Sequence, residues 1–213
     1  MSEEKETTVT EKGYIADFDN LHTLSRLVYK SYQKGDTTED EVVELVENWI
    51  IAGFRKGIEI GCKDLELDAT YVDFFEKLLG TVEGGKIQQL IERKIDGKTY
   101  ADRIEEHLVN NDGASSLETI FTTEYHNAVN SGIYNTGGSY NQVSYGEIVE
   151  KGWKTMLDEK VRETHAYLEG MWIPIDQDFY TYNGDHAPYP GAFGIGEEDC
   201  NCRCRTRIRR RKK

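Results

Sequence analysis

No apolar run in this chain approaches the roughly 20 consecutive residues of a membrane-spanning helix. Its first residues, Met1 to Glu6, carry neither the basic nor the apolar region of a secretory leader. The expectation is a protein with no membrane partner, made and kept in a cytoplasm or in a particle assembled there. The usual zinc signature, Cys-x-x-Cys, is missing from the four cysteines. Acid is missing from the last eleven residues, Arg203 to Lys213, which carry eight positive charges. The overall charge of −13 therefore conceals about −21 on everything before them. An acidic body excludes broad nucleic-acid binding over its surface. Nucleic acid or an acidic protein would have to touch the basic end, at Arg207, Arg209, Arg210, Arg211, Lys212 and Lys213. A solvated tail is the competing reading.

With 213 residues, 38% of them hydrophobic, the chain can bury a sizeable core, which excludes a wholly disordered protein. Residues 1–12 are polar and acidic and read as disordered. Leu21, Leu24, Leu27, Val28 and Tyr32 recur at helical spacing and predict a helix over 14–33. Thr37 and Thr38 followed by acids mark a second helix start, and Val42 to Phe54 supply its apolar face. A third helix is predicted over 68–79 with Tyr71, Phe74, Phe75 and Leu78 inward. Two more follow, on Ile87 to Ile95 and on Tyr100 to Leu108. Lone Cys62 reads as a buried small hydrophobe. After the break at Asn110 to Gly113, a helix runs from Ser115 or Ser116 to about Gly132.

Asn135 to Asn141 reads as a flexible loop and the domain boundary. Beyond it the pattern changes to a strand region over 143–154, interrupted at Gly152. A short helix over 157–169 ends at Gly170, and an edge strand spans Met171 to Ile175. The segment 176–196 is irregular, and Cys202 to Ile208 closes the module as a strand. The fold class is α+β: a predominantly helical region, 13–134, then a small mixed α/β module, 135–208, with a turn-rich C-terminal part and a basic tail, 209–213.

The chemistry-bearing residues gather in that module. Asp158, Arg162 and His165, spaced i, i+4, i+7, share one face of a helix. A solvent-facing charged stripe is the plainer account of the same spacing. Cys200, Cys202 and Cys204 alternate, so an extended segment turns all three to one side. Such thiolates, with an imidazole from His165 or His186 and an acid such as Asp158 or Asp199, could gather a structural Zn2+ ion. A reduced, metal-free cluster and a disulfide within the group are the alternatives. Two enzymatic readings are a cysteine nucleophile beside His165, and a metal-independent nuclease using His165 and Arg162 with Tyr180 or Tyr182. Glu124 matters if it meets an arginine such as Arg162. Trp153 and Trp172 bracket the predicted helix and read as core.

In order, these residues resemble a known pattern. Trp153, Thr155, Asp158, Arg162, His165 and Gly170 come first. Asp178-Phe179, Pro190-Gly191 and Asn201 to Cys204 follow, with Thr123-Glu124 on an upstream helix. Together they resemble the phage Mu F-like minor head proteins, a family of phage head morphogenesis proteins, from about residue 117 to 208. Cys200 lies outside the family pattern. The resemblance implies a structural protein of the virion, at the portal vertex during procapsid assembly and DNA packaging. Its partners would be the portal protein, the major capsid protein or both, with packaged DNA a further one if the basic end binds it. His165, Cys202 and Cys204 would then clamp the module, with Trp153, Asp158, Arg162, Gly170 and Asn201 holding its fold. The rival class is a toxin-like nuclease or transferase using His165, Arg162 and Glu124.

Overall fold

A computed structural model describes residues 9–79 and 85–212, with side chains in the first helix described from Asn20 onward. Six helices come first: α1 (Val9–Gln33), α2 (Glu39–Asp64), α3 (Ala69–Leu79), α4 (Lys86–Ile91), α5 (Tyr100–Asn110) and α6 (Ala114–Val143). The mixed part follows as β1 (Glu147–Lys154), α7 (Glu163–Ala166), β2 (Trp172–Pro174), β3 (Phe179–Tyr180), β4 (His186–Ala187), α8 (Gly196–Asp199) and β5 (Arg205–Lys212). The architecture is α+β, as expected. The disorder expected over 1–12 falls mostly on residues outside the described part; Val9 already belongs to α1.

Local chemistry sets the helix starts. Thr38 caps α2 reciprocally, its hydroxyl accepting from the Glu41 amide while Glu41 accepts from the Thr38 amide at 2.7 Å. Thr99 and Asp102 repeat the device on α5. α2 buries Val42, Val46, Ile50, Phe54 and Ile58 against α6, and each such side chain contributes about 1.5–3 kcal/mol. α4 is shorter than predicted, because Ile95 turns back to bridge Lys98. α3 departs from the reading of its face. Phe75 and Leu79 are buried, but Tyr71, Phe74 and Leu78 are exposed because only one side of α3 meets α2.

α6 gives the largest correction. Asn135 to Asn141 is helix, and the expected boundary falls inside an element of 30 residues. Packing overrides the low helix propensity of these residues. Thr136 lies on Gly61 of α2, and Gly137 lies under Ile175 and Ile208. The helical core therefore continues directly into the strands.

The sheet has the order β2-β1-β5, all antiparallel. β2 is an edge strand, which suits Pro174. Gly152 does not interrupt β1; the Trp172 ring lies over it, where a Cβ would come within 2.8 Å. Trp172 is thus a half-buried cover, with the Arg209 guanidinium 4.0 Å from its ring centre, and not a core residue. The basic end is no free tail. β5 runs to Lys212 and pairs along all of β1, while Lys213 lies outside the described residues.

Val149, Lys151 and Trp153 point to the same face of β1. Val149 joins the main helical core. Trp153 joins a second, smaller core with Leu168, Phe179, Cys202 and Cys204. Lys151 sits at the seam, fully buried, its ammonium 4.7 Å from the Tyr134 ring centre and 5.3 Å from that of Phe179. Among the described residues no hydrogen-bond partner reaches the nitrogen. Burial pulls its pKa down to about 8, against the opposing pull of Asp178 and Asp176. Below about pH 8 the folded protein must hold this buried charge. Above that pH the folded state binds fewer protons than the unfolded one, so stability rises until the unfolded lysine also titrates, near 10.5. Lys151→Met should therefore stabilise the protein by about 1–2 kcal/mol at pH 7, after allowance for the lost ring contacts. The advantage over the natural chain should shrink between pH 8 and 10.5, as measured by paired urea unfolding curves. Cys62, pushed up to about 11 by burial, destabilises both proteins alike as pH rises and cancels in the difference.

Candidate metal centre

The short helix α7 begins at Arg162, its N-cap residue. The chain before it, from Leu157 to Val161, is a turn, with Leu157 in the left-handed region. Asp158, Arg162 and His165 therefore do not share a helix face. Asp158 accepts both guanidinium nitrogens of Arg203 at 2.8 Å, and Arg162 donates to the Cys200 carbonyl. His165 alone turns inward. Gly170, at φ +73°, ends the segment as expected, its amide donating to the Trp153 carbonyl at 2.9 Å.

The His165 ring is buried between two aromatics, stacked on Phe193 at 5.7 Å and edge-on to Trp153 at 5.2 Å. Its Nδ1 faces the sulfurs of Cys202 at 3.6 Å and Cys204 at 3.4 Å. Its Nε2 lies 2.9 Å from a carboxylate oxygen of Glu198, close but off a hydrogen-bond direction. The same Glu198 oxygen accepts from the Thr164 hydroxyl at 3.0 Å. Ligand atoms of His165, Cys202 and Cys204 all fall within 4.8 Å of one another, and all three residues are buried. Burial, and then the neighbouring Cys204, push the Cys202 thiol well above its ordinary pKa. All four cysteines are free thiols.

The other residues weighed for this site go elsewhere. Cys200 is the C-cap of α8 and lies outside the cluster, because the segment 200–204 is not extended strand. His186 pairs with Asp178 and stacks on Tyr180 in the β3–β4 hairpin; Tyr182 meets Tyr167. Asn201, at φ +56°, makes the turn into Cys202, and its amide approaches the Thr123 hydroxyl at 3.4 Å. Glu124 does not meet Arg162. It accepts from Arg93 at 3.1 Å and from Arg103, and Arg93 also binds Asp199 and the Gly191 carbonyl, each at 2.7 Å. Burial raises the Asp199 pKa in spite of Arg93 and the amides of Phe193 and Gly194.

A polar face of α6 holds up the cysteine segment. Asn130 accepts from the Thr206 amide at 2.7 Å and donates to the Cys204 carbonyl at 3.2 Å. His126 Nε2 lies 2.5 Å from that same carbonyl, and burial pushes the His126 pKa down to about 4. Asn127 donates to the Gly191 carbonyl. Sequence reasoning passed over Arg93, Arg103, His126, Asn127, Asn130 and Glu198. A run of polar residues on a helix ordinarily signals a solvated face, and their partners lie far along the chain.

The basic end makes internal ion pairs. Arg205 and Arg207 reach Asp64, Arg209 and Arg211 reach Glu150 at 2.7 Å, and Arg210 reaches Glu66 at 3.0 Å. The basic end is therefore a strand rather than a loose tail, its arginines paired with Asp64 of α2, Glu66 just beyond it and Glu150 of β1.

Comparison with known proteins adds three findings. The family described as Phage Mu protein F like protein matches residues 82–207, ending within β5 at Arg207. The NAD(+)–arginine ADP-ribosyltransferase EFV of Enterococcus faecalis is 29% identical over 107 residues, covering 50% of this chain and 21% of that protein. The chain thus spans about a fifth of that relative's length. No solved structure matches.

Proposed function

Because the chain belongs to the phage Mu protein F like family, whose members serve phage head morphogenesis, we propose that it is a structural minor head protein at the portal vertex, incorporated during procapsid assembly and DNA packaging. The supporting observation is the extent of the match. The family region, 82–207, takes in the ion-pair network in which Arg93, Glu124 and Asp199 join the helical part to the cysteine segment. A body fastened in this way suits a part that is built into an assembly and bears contacts with the portal protein or the major capsid protein. Among the described residues no helix is long and apolar enough to cross a membrane.

The enzymatic reading, a nuclease or transferase using His165 and Arg162, fits the geometry poorly. His165 is 1% exposed and sealed by Trp153 and Phe193, and Arg162 is bound to the chain itself. The decisive experiment is assembly in infected cells with a nonsense allele of this gene, followed by reconstruction of particles carrying a tagged copy. Extra density at the portal vertex and defective heads without the protein are the expected results. Normal, infectious heads assembled in its absence would overturn the proposal. So would cleavage of RNA or DNA that is lost in a folded His165→Ala variant.

A further inference from the structure

We infer that His165 Nδ1, Cys202 Sγ and Cys204 Sγ bind one zinc ion, with a water molecule as fourth ligand and Glu198 orienting the imidazole. The inference rests on geometry within the second core and holds whatever the protein contacts in the head.

Tetrahedral zinc has Zn–S near ~2.3 Å and Zn–N near ~2.0 Å, which sets N and S ligand atoms about 3.6 Å apart. The observed separations are 3.6 and 3.4 Å. Separations of that size, with all three ligand atoms within 4.8 Å of one another, suit a single ion between the nitrogen and both sulfurs. The imidazole is also prepared for the task. The Glu198 carboxylate, 2.9 Å from Nε2, favours the ring proton on that nitrogen through its charge, which leaves Nδ1 to face the sulfurs. Thr164 holds Glu198 in turn. A carboxylate behind the imidazole is the outer half of a carboxylate–histidine–metal arrangement. Two thiolates neutralise a divalent cation, so the occupied centre places no net charge among Trp153, Phe179 and Phe193.

Three protein ligands leave one tetrahedral position. Beside His165 and Cys204 lies a small cavity of about 10 Å³, bordered also by Lys160, Arg162, Asn201 and Arg203. That is room for about one water molecule and not for a substrate. The fourth ligand is therefore water, and the centre acts as a staple. It fastens α7, only four residues long, to the segment leading into β5, across a region with little regular structure. A core of five fully buried residues gains much from such a link.

Full-length protein purified without added metal should contain one zinc per chain by elemental analysis. Replacement by Co2+ should give the thiolate-to-cobalt absorption of two sulfurs and a tetrahedral visible band. Cys202→Ser and Cys204→Ser should each abolish retention of the ion, while Cys200→Ser should keep it in full. Glu198→Ala should weaken Zn2+ affinity by about 10–100-fold without unfolding the chain. Wild-type protein that is folded, reduced and free of zinc even after incubation with Zn2+ would overturn the inference, as would loss of zinc in a folded Cys200→Ser variant. Should the Cys202 and Cys204 variants fail to fold, the wild-type zinc content and the cobalt spectrum still decide.

Discussion

An Arg93→Met variant is expected to lose about 3–5 kcal/mol of folding stability at pH 7, the usual cost of removing one partner from a buried ion pair. Arg93 is 12% exposed and serves three acceptors at once: Glu124, Asp199 and the Gly191 carbonyl. Burial alone would lower its pKa, yet Glu124 and Asp199 hold it above the ordinary value. With methionine in its place, Glu124 keeps Arg103, but Asp199 loses its only ion-pair partner among the described residues. The Asp199 pKa, already raised by burial, then rises further. A folded-state carboxyl pKa above the unfolded value means that folding takes up a proton. The penalty is therefore full above the folded pKa and relieved as pH falls toward the unfolded value, roughly 4. Urea unfolding at several pH values should show the deficit of Arg93→Met narrowing on acidification. A second change, Asp199→Asn, should recover part of it at neutral pH. Arg93→Lys should behave nearly as badly as Arg93→Met, since one ammonium cannot reach all three acceptors in the guanidinium's fork geometry. A loss below about 1 kcal/mol would mean that the network is not what fastens the helices to the cysteine segment.

That network also marks where sequence reasoning runs out. α2 was legible from its capping threonine and apolar periodicity, and α5 from periodicity after a turn, because these signals are local: every group that sets the start of either helix lies within three residues. The closing strand, expected over Cys202 to Ile208, is β5 at Arg205–Lys212, so only its first half was legible; the edge position of β2 was legible from Pro174. The grouping of His165 with Cys202 and Cys204 came from the order of residue types. Its mechanism did not, because the i, i+4, i+7 spacing pointed to a helix face where the chain makes a turn. Arg93 stands 31 and 106 residues from its two carboxylates, and nothing local announces either pairing. The polar run from Thr123 to Asn130 looked solvated because its partners are backbone groups of a segment some 75 residues away. The arginines of β5 looked like a tail because their partners, Asp64, Glu66 and Glu150, are distant in sequence. In each case the deciding contact is non-local, and the local propensity points the other way.

The C-terminal half of α6 is the clearest instance, and its glycines allow a test in which one substitution has opposite signs along one helix. At Gly132 a Cβ would sit 2.3 Å from the Phe54 carbonyl oxygen and 2.8 Å from the Gly57 Cα. At Gly57 it would sit 2.1 Å from the Val129 carbonyl oxygen. These are backbone atoms, which cannot swing aside as a flexible side chain could. Gly57 and Gly132 thus set how closely α2 and α6 approach, and with it the burial of Phe54, Ile58, Val129 and Ile133. Gly57→Ala or Gly132→Ala forces the helices apart. Either should cost about 3 kcal/mol, the upper end of the usual overpacking range, even after the better helix propensity of alanine. Gly138, six residues further along the same helix, has nothing within 4 Å of its would-be Cβ. There the propensity term acts alone, and Gly138→Ala should stabilise by about 0.5–1 kcal/mol. Thermal unfolding of the three variants under one buffer reads out both signs. If 135–141 were a loop, Gly138→Ala would bring no helix-propensity gain, and if α2 and α6 were loosely packed, Gly132→Ala would stabilise as well. A gain at 138 beside a loss at 132 requires the continuous helix and the close crossing together.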